Sequence, residues 1–204
     1  MNKKSSKKQS TQSGDFEISL LVLAAIVIKS DGDVDKRELD FVRSSFISMY
    51  GQERANHAFK LFKGIIANNK ISTRQVCLQI NKHMNHASRL QLLHFLFGVA
   101  KSDGMVTENE LHKINTIAGY LNINQYDFSS IKAMFYNEVD SSYKILEIDK
   151  SASDAELKTA YRKMVKKYHP DKLRNLGPEH IKGAEDKFRQ VQRAYEHIQK
   201  ERGL

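Results

Sequence analysis

Residues 161–172 read Tyr-Arg-Lys-Met-Val-Lys-Lys-Tyr-His-Pro-Asp-Lys, and they hold the densest reactive chemistry in the chain. His169 and Asp171 flank Pro170, an imidazole and a carboxylate that could pass a proton. A catalytic site needs more: a nucleophile, a Gly-rich phosphate cradle, or an apolar pocket that shifts a pKa. The stretch has none of these, so it does not read as an enzyme centre; taken alone it is a solvated basic helix face closed by a proline stop. Its cations are ordered. Leu157, Tyr161, Met164, Val165 and Tyr168 fall at helical spacing on one apolar stripe, and Lys158, Arg162, Lys163, Lys166 and Lys167 fill the opposite arc. Pro170 must end that helix, because it lacks an N–H and pushes His169 toward an extended backbone.

The elements that position this tip follow from the flanks. Ser153 with Glu156 three residues on predicts a capped helix start. Phe188, Val191, Ala194, Tyr195 and Ile198 predict a second long helix beyond a polar loop. The order of these features resembles the J domain of the DnaJ co-chaperone family: Tyr143-x-x-Leu146, then Ala160-Tyr-Arg-Lys, then His169-Pro-Asp-Lys, then Ala194-Tyr-Glu. The match covers residues 141–204. The resemblance implies docking on a DnaK-type chaperone and stimulation of its ATPase. By the same resemblance, His169, Pro170, Asp171 and Lys172 are the signal, and Arg162, Lys163, Lys166 and Lys167 attract an acidic chaperone surface. Tyr143, Leu146, Leu157, Tyr161, Phe188, Val191 and Tyr195 would be core.

Upstream, helical periodicity persists from Phe16 without a long alternating strand pattern. Seven helices are expected in residues 15–139: around 18–28, then Leu39–Met49 closed by Gly51, Ala55–Phe62, a fourth opened by Ser72 and Gln75, 90–99, Leu111–Ala118 and Phe128–Phe135. The chain repeats itself at an offset of 72. Lys29-Ser-Asp-Gly-Asp-Val-Asp-Lys-Arg-Glu-Leu39 recurs as Lys101-Ser-Asp-Gly-Met-Val-Thr-Glu-Asn-Glu-Leu111. Gly32 and Gly104 suit a positive φ that ends a helix. Asp35 with Glu38, and Thr107 with Glu110, form capping boxes, and Val34 and Val106 are placed to staple Leu39 and Leu111. This repeat resembles the TerB-like tellurite-resistance domain, an all-helical fold. A TerB-like unit followed by a J domain is the layout of DjlA-type proteins. The expected architecture is therefore all-α: a basic leader over 1–14, a TerB-like bundle of about seven helices over 15–139, and a J domain over 140–204 with an antiparallel helix pair.

The TerB resemblance also implies a divalent-cation site, for calcium or magnesium, built from Asp31, Asp33, Glu38, Asp103 and Glu110; the J-domain role requires no cofactor. The spacing is not that of an EF-hand loop. The alternative function on this side is a stress-response metal or oxyanion sensor with an accessory J domain. His83 and His86 could share a helix face, but surface or cap roles explain them better.

Composition sets the outer bounds. The chain has 204 residues and a formal net charge of +9. Residues 1–14 carry four lysines and no acid, the middle of the chain is neutral, and residues 141–204 carry +5. The basic helix lacks interleaved aromatics on its charged face, which argues against nucleic acid. The lysine-rich leader should be disordered. DjlA-type proteins carry an N-terminal membrane anchor; this leader departs from that pattern, and the longest apolar run, 11 residues at 18–28, is too short to span a bilayer. With a single cysteine, Cys77, the expected location is the cytoplasm. The J-like region has no CxxC or Gly/Phe-rich continuation. Client choice is expected to come from the first 140 residues.

Overall fold

The computed structural model describes residues 13–30, 32, 34–67, 71–136, 140–169, 171 and 178–204. The rest of the leader expected to be disordered lies outside the described residues. All described regular structure is helical, in the order α1 (Ser13–Ile28), α2 (Lys36–Tyr50), α3 (Gln52–Ala67), α4 (Thr73–His83), α5 (His86–Lys101), α6 (Glu108–Tyr120), α7 (Gln125–Ala133), α8 (Ser141–Ile145), α9 (Asp154–Tyr168) and α10 (Pro178–Arg202). The seven helices expected before residue 140 are all present.

Helices α1 and α5 are apolar nearly all round, and that dictates their place. A helix without a polar face must be surrounded. Phe16, Leu20, Leu21, Leu23, Val27 and Ile28 of α1 are buried, as are Leu92, Leu93, Leu96, Phe97 and Val99 of α5. The two pack on each other, and α3, α4 and α6 close around α1 while α2, α6 and α7 close around α5. α2 approaches α5 most closely at Gly98, where an added Cβ would lie 2.7 Å from the Phe41 ring. Any larger residue there would force the Phe41 ring to move.

The repeated loops fold as their sequences require. Gly32 and Gly104 have φ of 90° and 112°, and each donates its N–H to the carbonyl of Lys29 or Lys101. Both capping boxes form: Asp35 and Thr107 accept from the first turn, and Glu38 and Glu110 reach back to the N-cap amides. One expectation fails in the first copy. Val106 packs against the core, but Val34 is 42% exposed, so the staple buries its valine only in the second loop.

The last three helices form a compact hairpin. α8 packs on α7 and α10, and α9 runs along α10. Tyr161 and Tyr195 stack with ring centres 4.1 Å apart. Arg202, near the end of α10, binds the Tyr143 hydroxyl, the carbonyls of Lys150 and Ala152, and the Asp154 carboxylate. α10 also lies across α5 and α2. As a result the buried apolar residues of the first seven helices and of the hairpin form one continuous core, from Phe16 to Ile198. A cleft of about 550 Å³ remains beside this crossing, between Phe41, Phe95 and Met134 on one wall and Arg189 and Arg193 on the other.

Candidate functional site

The tip is built from α9 outward. Ser153 and Glu156 close a capping box at its start: the Ser153 Oγ accepts from the Glu156 amide, and Glu156 Oε2 accepts from the Ser153 amide at 2.7 Å. Both acids of the first turn, Asp154 and Glu156, complement the helix dipole. Leu157, Ala160, Met164 and Tyr168 are buried, which leaves the cationic arc facing out. At the far end His169 takes an extended conformation, φ −62° and ψ 128°, as a residue before proline should.

The His169 ring is fixed from two sides. The Asp171 amide donates to His169 Nδ1 at 3.2 Å, and the edge of the ring meets Phe188 of α10 with centroids 5.8 Å apart. An accepting Nδ1 leaves Nε2 as the protonated nitrogen of the neutral ring. His169 and Asp171 therefore stand side by side, with side chains 44% and 53% exposed. Pro170 and Lys172, named with them, lie outside the described residues.

The cations divide into two groups. Lys158, Arg162 and Lys166 are exposed, and none has a hydrogen-bond or ion-pair partner among the described residues. Lys163 sits 3.0 Å from Glu147 Oε2. Lys167 is only 20% exposed and is bound by both Glu147 and Asp127, while Asp127 also meets His86 Nε2 at 2.9 Å. Asp127 is held at about 2: burial pushes its pKa up, but the bonds from His86 and Lys167 outweigh that. Glu147 and Asp127 were not legible as partners of the basic helix. The Asp127 amide also donates to Asn124 Oδ1, the cap of α7. His86 turns out to serve this acid.

Two of the five residues expected around a cation do come together. Glu38 and Glu110, one from each repeat, are buried against each other. Burial first, and then the neighbouring Glu110 charge, push the Glu38 carboxyl up to about 8. Asp103 lies beside them, its carbonyl accepting from Arg37 Nη1 at 2.8 Å. Asp31 and Asp33 lie outside the described residues. Glu38 and Glu110 each spend one oxygen on a backbone amide, at 3.3 and 2.8 Å. Calcium takes six to eight oxygens. Among the described residues no group of three or more His, Cys, Asp or Glu is arranged to hold a metal ion, and the pair fits a shared proton better than a cation cage.

A seven-helix bundle with two cap-and-turn loops is joined to a helical hairpin that presents His169 and Asp171 beyond the end of α9. Comparison with known proteins agrees in both halves. Residues 17–133 match the model of the tellurite resistance protein TerB family, and residues 141–202 match the DnaJ domain. Co-chaperone protein DjlA of Coxiella burnetii is 26% identical over 205 residues, spanning 87% of this chain and 74% of that protein. Co-chaperone protein DjlA of Vibrio vulnificus is 31% identical over 141 residues, which is 65% of this chain and 46% of its own length. Chaperone protein DnaJ of Fusobacterium nucleatum is 50% identical over 54 residues, 26% of this chain and 14% of its length. No solved structure matches. The chain belongs to the TerB family, and the DnaJ domain behind that unit gives it the layout of a DjlA-type co-chaperone.

Proposed function

We propose that the protein docks on a DnaK-type chaperone through α9 and the tip at 169–172, and that docking stimulates the chaperone's ATP hydrolysis. It acts on another protein's ATPase and turns over no substrate itself. The TerB-like bundle recruits the client or sets where the chaperone works, and the lone, unpaired Cys77 supports a reducing cytoplasm as the place.

The observation that carries this reading is the posture of His169 and Asp171. The ring is braced by Phe188 and by the Asp171 amide, so the imidazole and the carboxylate project together past the end of a cationic helix. Asp171 offers a charged acceptor for a basic group, and His169 Nε2 offers a donor. The row of cations sets on-rate and register against an acidic surface. The test is ATPase stimulation of a DnaK-type chaperone by wild type and by His169→Gln. The expected result is stimulation by wild type and its loss in the variant, with melting temperatures within about 2 °C of each other. Equal stimulation by the two proteins would refute the assignment.

A further inference from the structure

The charged arc of α9 is two rows, not one. Lys158, Arg162 and Lys166 are spaced four residues apart and form one line along the helix; Lys163 and Lys167 form the next. The first line is exposed and unpartnered among the described residues. The second is met by acids that are themselves locked: Lys167 is held between two of them and is 20% exposed, while Lys163 pairs with Glu147 and stays 66% exposed. Glu147 is nearly buried, with a side chain 6% exposed, and it sits at φ 58°, a left-handed backbone that a residue with a side chain seldom adopts. Asp127 is 2% exposed, and its Oδ2 is gripped by Asn124 Nδ2 and His86 Nε2, each at 2.9 Å. Asp127 belongs to α7, so the TerB-like bundle itself reaches into the basic face of the hairpin.

We propose that Glu147 and Asp127 neutralise the Lys163–Lys167 row and close off Lys167, and that the charge offered to a docking partner is the single line Lys158–Arg162–Lys166. This rests on the docking function proposed above and narrows its surface. Two lysines against two carboxylates leave the second row neutral. A partner that recruited Lys167 would strand a buried Asp127 without its cation, a penalty larger than the exposed contact it would gain. The matching surface is therefore a line of carboxylates spaced at about 6 Å, one per turn of α9, lying parallel to the helix. A broad acidic plate fits it less well.

Two measurements on the full chain test this. Amine acetylation of the wild type, followed by mass spectrometry, should modify Lys158 and Lys166 at least about tenfold faster than Lys167. Lys167 reacting as fast as Lys166 would overturn the closed row. In binding to a DnaK-type chaperone at varied salt, Arg162→Gln and Lys166→Gln should each weaken docking about tenfold and flatten the salt dependence, and Lys167→Gln should stay within about twofold. Glu147→Gly, which relieves the left-handed backbone, frees Lys163 and removes one of the two partners of Lys167, should raise the on-rate and steepen the salt dependence. An effect of Lys167→Gln equal to that of Lys166→Gln, or a Glu147→Gly variant that docks like wild type, would overturn the proposal. A wild type that stimulates no ATPase would remove the docking function instead, and the acetylation pattern would still decide whether the row is closed.

Discussion

Single side chains carry two opposite pH dependences. Glu38 has its carboxyl raised from 4.5 to about 8 in the folded state, so the folded protein holds a proton there that the unfolded chain releases. The stability this proton supports is full below about pH 4.5 and is lost as the pH rises through 8. Glu38→Gln keeps the capping geometry, and it should add about 1–3 kcal/mol at pH 8 and little at pH 4.5. Urea unfolding at the two pH values measures this, and a variant no more stable than wild type at pH 8 would refute it. Lys187 runs the other way. It is 1% exposed, lies 5.2 Å over the Tyr168 ring, and burial holds its pKa well below the usual lysine range. Unfolding takes up a proton, so its contribution is least favourable at low pH and recovers as the pH rises toward the unfolded value of 10.5. Lys187→Met should stabilise the protein by about 1–4 kcal/mol at pH 7, as replacement of a buried charge by a fitting apolar side chain often does. At this scale the His169–Asp171 tip could be read from sequence, since its chemistry lies within three consecutive residues. Glu147 and Asp127 could not be read, because the acids that meet Lys163 and Lys167 stand 16 to 40 residues away and only tertiary packing brings them there.

Helices were the most legible level, because caps and periodicity act within a few residues. Ser72 and Ser153 each accept from the amide that their spacing implies. The caps are unequal, and burial explains why. Thr107 Oγ1 receives the Glu110 amide at 3.2 Å in a half-buried setting, while the Ser72 bond is longer, 3.4 Å, and exposed. Thr107→Ala should cost about 1 kcal/mol, and Ser72→Ala about half that or less. Thermal melts of the two variants decide it; equal losses would show that burial does not set the difference. What periodicity could not supply was the partner of each apolar face. The stripe on α10 reads as a hairpin partner for α9, which it is, but the residues around Gly183 and Lys187 also lie against α5, where Gln91 meets Gly183.

Across the whole molecule, the uneven charge, neutral in the middle and +5 behind residue 140, suggests two separate modules. The packing joins them instead: α8 on α7, α10 across α5 and α2, and a single core throughout. A shared core should unfold as a unit. Far-UV circular dichroism and tyrosine fluorescence should report coincident urea transitions. Two separated transitions would show that the crossing of α10 contributes little. The joint also implies that docking on the tip is felt in the bundle, since Asp127 and Lys167 are bound across it.

The crossing of α10 has a further consequence during synthesis. The face of α2 and α5 around Phe41 and Phe95 is complete once the ribosome has passed residue 101, yet the helix that lies over it begins only at Pro178. At about 5–20 residues per second, that face waits roughly 4–15 s for its cover. The chain therefore passes through an interval of its own need, when a newly made apolar surface is open to whatever binds nascent chains.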